Sequence, residues 1–241
     1  MSSPAQPMPG VQSPGATHGS SAIYRASRHH AKIVSDKRLD LSLKKADIAV
    51  VTYRFNSRKA TEVASLLIQK EGGRLNVMKL VKLVYLLDRL SIDKRGIPVV
   101  GGVYYSMRNG PVTSELLEII NAGRLADDSD SSWEQFISSR EDHFVSLLGN
   151  APIGVVSDSE KRLIDEIYGE HGTKDQWAIR DWCHQNCGEW TPLENGREKI
   201  QIEQIAVNVG KSESEVRLIS DEAKESNLLT AVFSRNPSVY A

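Results

Sequence analysis

Long apolar runs are missing from this 241-residue chain. No stretch approaches the roughly 18 uncharged residues that a membrane-spanning helix needs, so no membrane span is expected. Cysteine is scarce: Cys183 and Cys187 cannot build a disulfide framework, and a chain of this length does not need one. Neither sign of charge dominates, with 30 basic against 31 acidic residues, which excludes a polybasic coat protein. Catalytic signatures are also missing. There is no G-x-S-x-G, H-E-x-x-H, G-x-G-x-x-G or EF-hand spacing, and Gly101-Gly102 lacks the Lys-Ser/Thr of a phosphate loop. What remains is 40% hydrophobic and 25% charged, as in soluble globular proteins, which excludes a wholly disordered or collagen-like chain.

Pro, Gly and Ser fill 12 of the first 21 positions. Such a segment buries too little apolar surface to offset its backbone entropy, so disorder is expected. It also lacks the apolar core of a secretory signal, so a cytoplasmic chain with reduced thiols is expected. Residues 22–45 carry seven basic groups against Asp36 and Asp40, a balance of +5, which leaves about −6 for 46–241. Charge asymmetry of this kind marks either a nucleic-acid contact or a solvated tail. No helix-turn-helix, zinc-finger or RNP-like spacing accompanies it. A salt-titrated DNA-binding assay, comparing the full chain with one starting at Ala46, separates the two. Residues 1–50 are therefore read as a disordered, basic extension.

From residue 56 the pattern changes. Val63, Leu66 and Leu67 recur at helical spacing after a capping Asn56 or Ser57, and Gly72-Gly73 ends the run. Asn76 to about Lys94 is apolar nearly all round, which predicts a buried central helix. Its wheel leaves one stripe, Lys79, Lys82, Arg89 and Asp93, as a route to water. Asp88 falls on the opposite, apolar side, where a carboxylate is costly without hydrogen-bond partners. Gly96 to Val112 reads as small strands and turns, with a tight turn at Asn109-Gly110-Pro111. Pro111 there suits the first turn of a helix over Val112–Asn121. Trp133–Ile137 and His143–Leu147 predict a β-hairpin. Ser157 with Glu160 has capping-box spacing and opens a helix that closes near His171-Gly172. Further helices are predicted over Asp175–Asn186, Ile200–Val209 and from Ser212 to about Leu229. The fold class is α+β, predominantly α-helical, with a buried central helix and small β-hairpins packed against a helical bundle.

Cys183-His184-x-x-Cys187 has the look of a metal site. His184, however, lies one step round the helix from Cys183, and structural zinc usually presents two spaced pairs. Two ordinary thiols are the simpler reading, and no metal or cofactor is expected. Cysteine-protease chemistry fails because a base adjacent in sequence to its nucleophile points away from it on a helix. His29-His30 is read as solvated, and His143 and His171 as structural. No catalytic residue is assigned.

The ordered pieces carry a resemblance. The K-L-x-K-L-x-Y-L-x-D-R run from Lys79 to Arg89 is followed by Gly96-Ile97-Pro98 and by the Tyr-x-Met-x-x-Gly-Pro-Val run from Tyr105 to Val112. A Ser-capped helix then leads to a second helix carrying His184, with Trp190 beyond it. Over roughly Thr52 to Leu229 the chain resembles the Panacea domain of SocA-like antitoxins and their phage-associated relatives, and a domain over 51–235 is expected. The resemblance implies a prokaryotic antitoxin of a toxin–antitoxin system, not an enzyme. It would neutralise a cognate toxin by direct protein binding, or act as a proteolytic adaptor delivering that toxin to a AAA+ protease. Lys79, Lys82, Arg89, Tyr104, Tyr105 and Arg108 supply the cationic and aromatic groups enriched at binding hot spots, unless the stripe is only the helix's solvated edge. Asp88, Gly110, Pro111, His184 and Trp190 are the expected structural anchors. Asp88 is expected to hold the Met107–Gly110 turn through backbone N–H groups or Arg108. A DNA-binding regulator using the basic segment, and a phage or defence factor of unknown chemistry, are the alternatives.

Overall fold

The computed structural model describes residues 52–125 and 133–235, the last seven as backbone alone. They fall within one compact unit spanning Ile48–Ala241. The amino-terminal extension, its basic segment and the acidic loop at 127–132 lie outside the described residues.

Helix α1 (Ser57–Lys70) starts where the Asn56 side chain accepts the Lys59 N–H at 2.9 Å. Gly72 and Gly73, both with left-handed φ, turn the chain into strand β1 (Arg74–Asn76). Asn76 then caps helix α2 (Val77–Arg95) by accepting the Met78 and Lys79 N–H groups, and Gly96 ends it at φ 78°. Leu80, Leu83, Val84 and Leu87 are buried because α2 is walled by α1 and by α5 (Asp158–His171), α6 (Gln176–Asn186) and α7 (Ile202–Asn208). This is the buried central helix that the apolar wheel predicts. Strands β2 (Tyr104–Met107) and β3 (Gly110–Thr113) form a hairpin, followed by α3 (Ser114–Ala122) and the single turn α4 (Trp133–Phe136). Strand β4 (Phe144–Ser146) pairs antiparallel with β1. Strand β5 (Arg197–Ile200) pairs antiparallel with β2, giving the sheet order β3-β2-β5. Helix α8 (Glu213–Arg235) packs on α7. The architecture is predominantly helical α+β. Among the described residues no helix is long and apolar enough to cross a membrane.

Three local expectations are corrected. The hairpin over Trp133–Leu147 is not formed: buried Trp133 begins a helical turn, and β4 takes β1 as its partner, leaving isolated bridges between Ile137 and Leu147 and between Glu141 and Phe144. Residues 197–200 are strand, and the helix expected from Ile200 starts at Ile202. Pro111 lies inside β3, so the next helix starts at Ser114. A proline suits β3 because β3 is an edge of its sheet.

Candidate functional site: the hairpin and the network beneath it

Asp88 projects from α2 into the core and is fully buried. Its Oδ1 accepts the Val99 and Val100 N–H groups at 2.8 Å. Its Oδ2 accepts the Gly101 N–H at 3.1 Å and the Tyr104 hydroxyl at 2.9 Å. Burial pushes the Asp88 carboxyl up to about 6, against the pull of these four donors. The partner required by a carboxylate on an apolar face is therefore the 99–101 loop and β2. The expectation that Asp88 holds the Met107–Gly110 turn, or pairs with Arg108, is corrected. Gly101 carries φ 74°, and a Cβ there would meet the Arg54 carbonyl oxygen at 2.7 Å, so the loop that feeds Asp88 passes the Tyr53–Arg54 backbone only as glycine.

A second carboxylate, Glu189, closes the network. Its Oε1 accepts the Tyr85 hydroxyl at 2.7 Å and the Arg89 Nε–H at 2.8 Å. Burial, then the Glu189 charge, keeps the Tyr85 hydroxyl protonated. The Tyr85 and Tyr104 rings meet edge to face at 5.8 Å, joining the Glu189 and Asp88 groups into one assembly.

Lys82 lies under the hairpin and donates to the Pro111 carbonyl at 2.7 Å. Burial pulls its ammonium down to about 8. Gly110, at φ 97°, makes this approach possible: a Cβ would stand 3.0 Å from Lys82 Nζ and 3.4 Å from His184 Nε2. His184 stacks on Trp190 with ring centroids 3.9 Å apart, and the Trp190 indole N–H donates to the Met107 carbonyl at 2.9 Å. Burial and the nearby Lys82 hold His184 below the usual histidine range, so it is neutral at pH 7. Cys183 and Cys187 are both buried. Cys187 stays protonated because its thiol bonds Cys183 and is desolvated.

The predicted residues separate accordingly. Lys79 and Lys82 are not on a route to water: they are 4% and 1% exposed. Lys79 pairs with Glu71 at 2.6 Å and donates to the Gly172 carbonyl, and Arg89 is committed to Glu189. The solvated stripe is corrected because Glu71 after α1, Pro111 of β3, Gly172 after α5 and Glu189 after α6 close over it and supply acceptors. Tyr104 is buried on Asp88, whereas Tyr105 is half-buried and Arg108 is exposed. Asp88, Gly110, Pro111, His184 and Trp190 all contact the hairpin or its supports, as given above. Asp88 and His184 belong to different parts of the network, Asp88 on the 99–101 loop and Tyr104, His184 on Trp190 beside Lys82. A surface groove of about 410 Å³ lies elsewhere, between α1 and α5, lined by Leu66, Lys70, Ile164 and Asp165. Among the described residues no group of three or more His, Cys, Asp or Glu side chains is placed to hold a metal.

Sequence reasoning missed the other carboxylates that grip backbone. Glu62 of α1 accepts the Gly154, Val155 and Val156 N–H groups, and Glu115 of α3 accepts the Val103 N–H at 2.9 Å. Glu62 had a readable signal, since it lies between Thr61 and Val63 in a helix whose composition demands burial. Glu115 had only its place in the first turn of a helix, where acids are common.

Neither the curated proteins nor the solved structures yield a match to the chain. Residues 80–191 run from the first turn of α2 through Asp88, the hairpin, Lys82's acceptor Pro111, His184 and Trp190. Those residues match the family model described as antitoxin SocA-like, Panacea domain, a narrower span than the 52–229 over which the sequence resembles that family.

Proposed function

We propose that the protein is an antitoxin that neutralises a toxin by direct protein binding. The observation that carries this reading is the match of residues 80–191 to an antitoxin domain. The geometry supports it. The buried charged groups Lys82, Asp88, Arg89 and Glu189 of the matched segment are committed to backbone, to tyrosine hydroxyls or to one another and leave the hairpin as a fixed platform, which suits recognition. The functional domain is 51–235, and the protein acts in the cytoplasm as a binding module. The test is co-expression with a toxic reading frame encoded beside it: growth is restored if the reading holds, and stays arrested, with no complex between the purified proteins, if it fails. Delivery to a AAA+ protease is the finer form of this function. It shortens the toxin's half-life when the antitoxin is present, whereas simple occlusion leaves the half-life unchanged.

A further inference from the structure

We propose that the outward face of strands β2 and β5, centred on Tyr105, docks an acidic segment of the partner protein; this deepens the toxin-binding reading and rests on it. In the antiparallel register Tyr105 stands opposite Lys199, and Met107 opposite Arg197. Side chains alternate along a strand, so these four share one face while Tyr104 and Ser106 share the other. The second face is occupied internally, with Tyr104 bonding Asp88 and Ser106 accepting the Thr191 N–H. Glu198, opposite Ser106, also belongs to that second face, so the only acid of β5 is turned away from Tyr105. Arg197 lies over the Tyr105 ring at 4.5 Å from its centroid, and Arg108 extends, exposed, from the hairpin turn next to Met107.

The charges give the partner's chemistry. Lys59, Lys70, Lys79, Arg89 and Lys94 each hold a carboxylate within ion-pair distance. Among the described residues Arg108, Arg197 and Lys199 hold none. Burial draws the Lys199 ammonium below the usual lysine range, with Glu115 acting the other way, so this cation is partly stripped of water without an ion pair in return. Three such cations around a half-buried tyrosine and methionine form a small apolar centre with a positive rim, the composition of a protein-binding hot spot. A carboxylate-bearing surface segment complements it. Nucleic acid is the poorer match, because a duplex binder spreads about six or more cations along a phosphate track, whereas these ring one aromatic side chain.

Charge reversal tests the surface. The double variant Arg197→Glu with Lys199→Glu, and the single variant Arg108→Glu, are compared with wild type in growth rescue and in Kd for the purified toxin from the adjacent reading frame. The expected result is a loss of affinity of about 100-fold for the double variant and about tenfold for Arg108→Glu, with melting temperatures unchanged. Raised salt should weaken the wild-type complex and not the double variant. If the double variant melts early, Arg197→Ala and Arg108→Glu carry the measurement. Affinities within threefold of wild type, in a protein that still rescues growth, overturn this surface and leave the antitoxin reading standing. A 20-base-pair duplex that binds wild type as tightly as the toxin does, and is lost on the same reversals, also overturns it. A wild type that neither rescues growth nor binds the toxin overturns both.

Discussion

Asp88 organises more of the molecule than any other single residue. Four donors converge on it, and none has water to turn to if the carboxylate is removed. Asp88→Ala should therefore cost roughly 3–5 kcal/mol in urea melts, the range for breaking a buried charged network. Asp88→Asn keeps one acceptor oxygen but turns an NH₂ toward two of the donors, so it should lose less than Ala and more than about 1 kcal/mol. An alanine variant that melts like wild type would show that the loop has other support. Gly110 is the second sensitive position. Gly110→Ala combines a left-handed backbone with a Cβ 3.0 Å from Lys82 Nζ, and should cost about 2 kcal/mol. Adding Lys82→Met should return part of that loss, since it removes the ammonium that the new methyl displaces.

At the scale of elements, the long periodic segments were legible and the short ones were not. The burial of α2 follows from Val77, Leu80, Val84 and Leu87, and its ends from Asn76 and Gly96, because capping and amphipathic period are local properties. The capping box of α5 was equally plain in Ser157 and Glu160. Strands β1, β4 and β5 run three or four residues and pair across long separations in sequence, so neighbouring residues do not specify them. The same limit explains the site. That Asp88 needs donors was readable from its place on an apolar face. Which donors depends on where a loop eleven to thirteen residues away returns. The burial of Lys79 and Lys82 was hidden because their acceptors, Gly172 and Pro111, come from distant segments. On α1, Glu62→Gln should weaken the clamp on residues 154–156. Hydrogen exchange of the Val155 and Val156 amides should quicken at least tenfold while α2 amides hold.

For the whole molecule, two buried groups tie stability to pH with opposite signs. Burial pulls His171 down to about 4, with Lys174 adding to the effect, so the folded state favours neutral imidazole. Its contribution is complete above pH 6.5 and is lost as pH falls toward 4. Asp88 is raised from 3.8 to about 6, so its ionisation opposes folding by about 3 kcal/mol above pH 6, and that cost fades on acidification. Between pH 6.5 and 4.5 the two oppose each other, so Tm should vary less over that window than either group alone would make it. His171→Gln removes one side of the balance, and its Tm should rise as pH falls through that window. A Tm that falls as in an ordinary acid-labile protein would refute the assignment. The backbone-gripping carboxylates carry one more consequence. Glu62 and Asp88 hold amide hydrogens, which every residue except proline possesses, so the clamps themselves read no side chain, and the demands on Gly101, Val99, Val100 and Val156 come from backbone conformation and burial instead. Ile153, 88% exposed beside the Glu62 clamp, can therefore be exchanged with the scaffold undisturbed, because its fastening lies in the amides that follow it and not in its own side chain.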